Sequence, residues 1–316
     1  MGKAMVSVRA ILIAGPTASG KSALALELAE RLDGVIVNAD SMQVYAELRV
    51  LTARPNEQDT KRAAHRLYGF VPASTAFSTG DWQRSAKREI EAICASGRLP
   101  IVVGGTGLYF KALTGGLAKV PDIDPAVRLE CRQLAEEGGT AAVRAALAGL
   151  DPEASNTLED LQRLTRALEV VRSTGRRLAD WQQEAHGAPV LDETGTAQLV
   201  LAPPRPWLHA RIRQRAEIIL GEEGLSEVCK LLDMDLPATL PAMRAIGVSE
   251  AAALLKAELS AGEAAEQLTI STRQYAKRQE TWFRNQMGHW PRLDPSQNCS
   301  QALAIDFMRK IEQAYP

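Results

Sequence analysis

Residues 9–22 read RAILIAGPTASGKS, in which the apolar run Ala10-Ile11-Leu12-Ile13-Ala14 passes directly into Gly15-Pro16-Thr17-Ala18-Ser19-Gly20-Lys21-Ser22. Strand-like residues precede the G-x-x-x-x-G-K-S spacing and a helical stretch, Ala23–Leu32, follows it. That is the strand–loop–helix setting of a P-loop. Its glycines let backbone N–H groups close around phosphate oxygens, the helix N-terminus adds positive potential, and Lys21 adds a full charge. Ser22 is the residue type that holds a Mg²⁺ ion bridging two phosphates. A phosphate group is expected here. Whose phosphate it is, and which bond to it breaks, must come from the rest of the chain.

Two further short apolar runs, Val35–Val37 and Ile101–Val103, read as buried parallel strands separated by helical patterns. A later run, Ala197–Leu201, reads as a fourth strand before the Pro203-Pro204 turn. Such an array places its site at the carboxyl ends of the strands. Between Pro121 and Pro189 the texture changes to Ala, Leu, Arg and Glu with no strand-like run, and Leu161, Leu164, Leu168 and Val171 recur at helical spacing. From Pro206 onward the pattern is again helical. The expected fold is therefore α/β, a P-loop NTPase-like parallel-sheet core with an inserted all-helical domain. The core takes residues 1–120 and 191–316, the latter with the C-terminal helices, and the insertion takes residues 121–190.

The chain has 316 residues, 46% of them hydrophobic and 24% charged, which suits a globular protein with a sizeable core. A formal net charge of −1 does not advertise nucleic acid, so such a partner has to be argued from local patches. The four cysteines, Cys94, Cys131, Cys229 and Cys299, are far apart and lack metal-ligand spacing. They read as reduced thiols of a cytoplasmic protein. No apolar run approaches the roughly 18 residues of a membrane span.

A P-loop kinase using ATP normally carries an Asp closing a second apolar strand, where it helps hold Mg²⁺. Here Ile101-Val102-Val103 runs into GGTGLYFKAL, which contains no carboxylate, whereas Val35-Ile36-Val37 ends in NADSMQVY. Asp40 thus falls at the carboxyl edge of a strand next in sequence to the P-loop unit. Taken alone, Asp40 also reads as a helix cap. A small-molecule kinase and a nucleotide-dependent RNA-binding switch remain the alternatives.

GPTASGKS, DSMQVY, LTARP and GGTGLYFKAL appear in that order, followed by QRLTRALEV, RIRQR and TRQYAKRQETWFR. From Gly15 to Trp290 this series resembles the tRNA dimethylallyltransferase (isopentenyl-tRNA transferase) family. The resemblance implies that the loop from Gly15 to Ser22 holds the diphosphate of dimethylallyl diphosphate, with Mg²⁺ on Ser22. It also implies transfer of the prenyl group to the exocyclic amine of the adenosine 3′ of the anticodon. An aromatic amine is a poor nucleophile, so a carboxylate that takes its proton would help, and Asp40 is the candidate base. Diphosphate leaves as a polyanion, and Arg211 and Arg215, four apart in a helical pattern, share a face that could reach it. Thr106 would line the channel where base and donor meet.

By the same resemblance the tRNA anticodon stem-loop would meet Asp40, Ser41, Met42 and Gln43, together with Thr106 and Arg128. Further contacts fall on Gln162, Arg163, Leu164, Thr165 and Arg166, and on the turn Met243, Arg244, Ala245, Ile246, Gly247 and Val248. The late helix adds Lys277, Arg278, Gln279 and Arg284. On it Arg273, Lys277 and Arg284 lie within about 40° of one another, with Leu268, Tyr275 and Trp282 opposite as an expected core face. Leu51 stands where members often have Gly, and Val248-Ser249 where they commonly show an aromatic and a basic residue. A monomer is expected.

Overall fold

The computed structural model describes residues 8–184 and 187–315. It divides into two compact units, one of residues 1–114 and 190–316 and one of residues Gly115–Pro189.

Among the described residues, the first unit is built on six strands, β1 (Ala10–Ala14), β2 (Gly34–Asn38), β3 (Ala64–Arg66), β4 (Leu99–Gly104), β5 (Thr196–Leu201) and β6 (Arg292–Leu293). They form one sheet in the order β3-β2-β4-β1-β5-β6, and every pair is parallel. Parallel strands need crossovers, and helices supply them: α1 (Lys21–Leu32), α2 (Glu57–Arg62), α3 (Thr79–Ala95) and α4 (Gly107–Gly115). The four runs read as strands are the four central ones. The two edge strands escape a hydrophobicity reading because β3 is Ala-His-Arg, without an apolar run, and β6 has two residues.

The central strands are buried on both faces. Ile11 and Ile13 pack with Leu24, Leu28, Phe307 and Ile311 on one side. Leu12, Val35, Val37 and Val102 join Trp82, Phe110 and Phe283 on the other. Because β4 lies between β1 and β2, the loops after all three emerge side by side at one sheet edge. Gly104 ends β4 where a Cβ would meet the Ala39 carbonyl oxygen at 2.0 Å, so only glycine lets these two loops approach so closely.

The last part of this unit is helical: α9 (Arg205–Ile219), α10 (Glu222–Leu232), α11 (Val248–Leu255), α12 (Ala261–Gln286) and α13 (Ser300–Ala314). The second unit consists of α5 (Pro125–Ala148), α6 (Pro152–Thr157), α7 (Leu161–Thr174) and α8 (Leu178–Gln183). Leu164, Leu168 and Val171 of α7 close its core with Cys131, Val143 and Leu147 of α5, and Leu161 packs at the rim.

Candidate active site

The loop from Gly15 to Ser22 turns through two left-handed residues, Ala18 (φ 62°) and Gly20 (φ 87°). Gly20 caps α1 without a side-chain hydrogen bond, and the first turn of α1 carries no acid. The helix N-terminus is therefore left open to an external anion. Lys21 Nζ donates to the Pro16 carbonyl at 3.2 Å, holding the ammonium across the loop. Burial draws the Lys21 pKa down to about 8; Asp40 pulls it upward and Arg215 pushes it further down. The Ser19 hydroxyl is buried without a hydrogen-bond partner among the described residues.

Asp40 sits on a turn fixed by Asn38. The Asn38 amide donates to the Asp40 and Leu67 carbonyls at 2.9 and 3.0 Å, and its oxygen accepts the Asp40 N–H at 2.8 Å. Asp40 Oδ1 accepts the Met42 N–H at 3.0 Å, so the carboxylate braces its own turn rather than capping a helix. Thr106 ties this turn to the loop after β4: its N–H donates to the Ala39 carbonyl at 3.1 Å, and its hydroxyl accepts the Ser41 N–H at 2.9 Å.

Helix α9 brings both of its candidate arginines to this edge. Arg211 Nε donates to the Ala18 carbonyl at 2.9 Å, and its guanidinium lies 4.7 Å above the Trp207 ring. Arg215 donates to the Leu51 carbonyl at 3.0 Å; burial lowers its pKa while Asp40 and Tyr275 raise it. Leu51 thus contributes its backbone here, and its own N–H donates to Glu227 at 3.1 Å.

Three tyrosines complete the surroundings: Tyr68 and Tyr109, which the sequence did not single out, and Tyr275, which it placed in the core. Burial raises the hydroxyl pKa values of Tyr68, Tyr109 and Tyr275, and the negative charge of Asp40 adds to each. All three stay protonated, available as hydrogen-bond donors. Tyr109 is stacked on Trp82 at 4.0 Å, and the Thr106 side chain draws the Tyr275 pKa part of the way back down. Asp40 is thereby the shared electrostatic neighbour of Lys21, Arg215 and the three phenols.

Gln279 departs from its expected place. It is 5% exposed, and both ends of its amide are used inside the protein. Its oxygen accepts the Thr17 N–H at 2.8 Å, and its nitrogen donates to the Gly105 carbonyl at 2.8 Å. The buried stripe of α12 is Leu268, Thr272, Ala276, Gln279 and Phe283. Tyr275 and Trp282, expected in the core, are only half-buried at its margin. A polar residue at a buried helical position was the available signal, because a buried amide needs partners.

The other residues expected at tRNA divide by exposure. Arg128, Gln162, Arg163, Arg244, Lys277, Arg278 and Arg284 are exposed, and Ser41, Met42, Met243 and Ile246 are half-buried. Leu164 and Thr165 face the core of the helical unit, where the Thr165 hydroxyl donates to the Leu161 carbonyl at 2.7 Å. Arg166 is held 3.3 Å from the buried Glu169. Gln43 is buried and donates to the Thr52 carbonyl at 2.8 Å, and Ala245, Gly247 and Val248 are also buried. Helical and turn geometry explains the split, since a contiguous motif always turns part of itself inward.

The donor set suits Mg²⁺. Among the described residues no group of three or more His, Cys, Asp and Glu could hold a metal. What the chain presents is the exposed Ser22 hydroxyl on an uncapped helix start. Mg²⁺ is ordinarily held by one or two protein oxygens, substrate phosphates and water rather than by an all-protein cage.

A family model described as IPP transferase matches residues 43–286, and one described as isopentenyl transferase matches residues 8–71. A tRNA dimethylallyltransferase of Rhizobium etli is 53% identical over 287 residues, covering 90% of this chain and 96% of that protein. One from Sinorhizobium medicae is 49% identical over 293 residues, covering 92% and 96%. Among solved structures, the full-length tRNA isopentenylpyrophosphate transferase of Bacillus halodurans superposes with a TM-score of 0.66 at 30% identity, covering 96% of this chain and 97% of that one. A eukaryotic dimethylallyltransferase acting on tRNA gives a TM-score of 0.76 at 25% identity, covering 95% and 79%.

Proposed function

The chain belongs to the tRNA dimethylallyltransferase family, and from that premise we propose that it prenylates tRNA from dimethylallyl diphosphate. The acceptor is the exocyclic N6 amine of the adenosine 3′ of the anticodon, and diphosphate is released. It is a transferase and not a kinase. The observation that carries the reading is Asp40 at the carboxyl end of β2, facing Lys21 and Arg215.

In the reaction the allylic C1–O bond breaks with its electron pair going to diphosphate, the N6–C1 bond forms, and the N6 proton passes to Asp40. The amine's lone pair is delocalised into the purine ring, so removing the proton as the bond forms lowers the barrier. The α1 amides, Lys21, Arg211 and Arg215 take the charge that grows on the leaving diphosphate. Mg²⁺ on Ser22, when bound, neutralises part of that charge. Thr106 and Ser41 fix the turn that presents Asp40. The adenosine must leave its stack to reach that carboxylate, which is easier in an anticodon loop than in a duplex.

Arg128 and Arg163 on the helical unit, and Lys277, Arg278 and Arg284 on α12, are exposed cations suited to tRNA phosphates. The protein acts as a monomer in the cytoplasm; its four free cysteines suit a reducing compartment. No helix among the described residues is long and apolar enough to cross a membrane.

The test is incubation with unmodified tRNA, labelled dimethylallyl diphosphate and Mg²⁺, followed by mass analysis of the nucleosides. Label in an N6-prenylated adenosine with matching diphosphate release is the expected result. Label that stays in the donor, or appears on another nucleoside, overturns the reading.

A further inference from the structure

Helix α9 carries two basic stripes, and the active site uses only one. At about 100° per residue, its buried residues Leu208, Ile212, Ala216 and Ile219 form one apolar seam. Arg211 and Arg215 flank the seam on the side of the P-loop and Asp40. Arg205, His209 and Arg213, four residues apart in turn, flank it on the other side.

Helix α12 repeats the arrangement. Its seam meets that of α9 where Ala276 packs with Leu208 and Ile212. Tyr275 lies on the flank near Asp40, and Arg273, Lys277 and Glu280 lie on the opposite flank. The two outer flanks adjoin: His209 feels the charges of Arg273 and Glu280 on α12 as well as those of Arg205 and Arg213 on its own helix.

These cations are not paired as others are. Elsewhere Arg62, Arg98, Arg176 and Arg177 lie 2.6–3.2 Å from a carboxylate oxygen. Among the described residues, Arg205, Arg213, Arg273 and Lys277 form no salt bridge, and the buried Nε of Arg273 has no hydrogen-bond partner. Glu280 faces His209 from α12, and Glu217 follows Arg213 one turn along α9 without forming a salt bridge among the described residues. Clustered like charges repel, so an uncompensated group of this kind suits an anionic partner. Arg205 and Arg213 are about 12 Å apart along the helix axis, a spacing that suits separate phosphates of a strand, two apart, better than a single one.

We propose that Arg205, His209 and Arg213 of α9, with Arg273 and Lys277 of α12, form a docking stripe for backbone phosphates of the tRNA, separate from the donor diphosphate site. The inference rests on the tRNA prenyltransferase reading. It adds α9 to the RNA-binding surface, so that one helix holds the donor on one flank and the acceptor's backbone on the other.

The test compares wild type with Arg205→Gln/Arg213→Gln. Both side chains are exposed, and circular dichroism checks that the fold is kept. Binding of a fluorescent anticodon stem-loop is titrated at several salt concentrations, and dimethylallyl diphosphate binding by calorimetry. Each lost phosphate contact should lower the slope of log K against log salt by about 0.7–0.9, so the double variant should lose roughly 1.5 and bind RNA about tenfold more weakly at low salt. Donor affinity should stay at wild type. A control, Lys87→Gln/Lys230→Gln, removes two exposed charges on other helices and should keep the wild-type slope. An unchanged slope in the arginine variant, or an equal loss in the control, overturns the docking stripe while wild-type prenyl transfer stands. A wild-type protein that neither binds nor prenylates tRNA overturns the underlying reading and the stripe with it.

Discussion

Two arginine pairs, each at helical spacing, have opposite meanings in the folded molecule. On α9, Arg211 and Arg215 reach back 193 and 164 residues, to the carbonyls of Ala18 and Leu51. On α7, Arg166 turns to Glu169, three residues along the same helix, and Arg163 points into solvent. Spacing places such side chains on a face but does not say what that face meets. The α9 pair is defined by remote backbone, and Arg215 also by the carboxylate of Asp40; the α7 pair is defined by its own helix. Disturbing the remote set should damage chemistry and donor binding, whereas disturbing the local set should alter RNA binding or helix stability by smaller amounts.

The largest effect is expected at the centre of the remote set. Asp40→Asn keeps the shape of the side chain and the acceptor for the Met42 N–H but is a poor proton acceptor. Under single turnover with both substrates saturating, prenyl transfer should slow by about 10²–10⁴-fold, or roughly 3–5 kcal/mol of barrier. Separate titrations should show that donor and tRNA still bind. A rate within a few-fold of wild type would remove Asp40 from the chemistry.

Gln279 comes next, because it joins the loop after β1 to the loop after β4 from a helix 174 residues beyond the nearer of them. Gln279→Met fills the same volume and leaves the Thr17 N–H and the Gly105 carbonyl unpaired, at about 1–3 kcal/mol for each group left buried. Part of that loss should appear in the positioning of the P-loop, as a KM for dimethylallyl diphosphate raised about tenfold. The Kd for tRNA should be unchanged. If tRNA affinity falls while the donor KM holds, the residue faces RNA after all.

The P-loop and Asp40 were legible because each is a contiguous signal: a glycine spacing after an apolar run, and an acid closing one. The four central strands were legible because burial on both faces makes them continuously apolar. What was not legible has one physical origin. Gln279, Tyr68, Tyr109 and Tyr275 owe their roles to neighbours far away in sequence. The edge strands β3 and β6 owe theirs to hydrogen bonding with a sheet already formed. In the motif KRQETWFR the sequence showed an outward basic face, and only packing shows that its glutamine points inward.

Lys21 gives the remote set a pH signature. With its pKa near 8 in the free protein, donor affinity should be flat below that pH and fall by up to tenfold per unit above it, as the ammonium is lost. Stability should run the other way. The folded-state pKa lies below the ordinary 10.5, so between about 8 and 10.5 the unfolded chain binds more protons. Over that window this group makes the protein more stable as pH rises. Thermal unfolding of Lys21→Met should lack this increment, and its donor binding should lose the step near pH 8. If the variant and wild type show parallel curves, Lys21 titrates as an ordinary surface amine.

The local pair should give the smallest effects, and the two arginines should separate. Glu169 is buried, and its carboxylate is flanked by Arg166 at 3.3 Å and Arg132 at 3.5 Å. Replacing Arg166 by Gln leaves that carboxylate with one partner. The expected cost is about 1 kcal/mol: more than an exposed pair contributes, because Glu169 is shielded from water, and less than breaking a fully buried pair, because Arg132 remains. Arg163 is exposed and has no carboxylate partner among the described residues, so Arg163→Gln should change stability by less than about 0.5 kcal/mol. If it meets a tRNA phosphate, the salt slope of RNA binding should drop by nearly one. Denaturant unfolding and salt-dependent RNA titration of both variants decide the matter together. Arg166→Gln should shift mainly the unfolding midpoint, and Arg163→Gln mainly the slope. The reverse pattern would mean that Arg166 leaves Glu169 when RNA binds, and the contrast between a remote pair and a local pair would then hold only for the free protein.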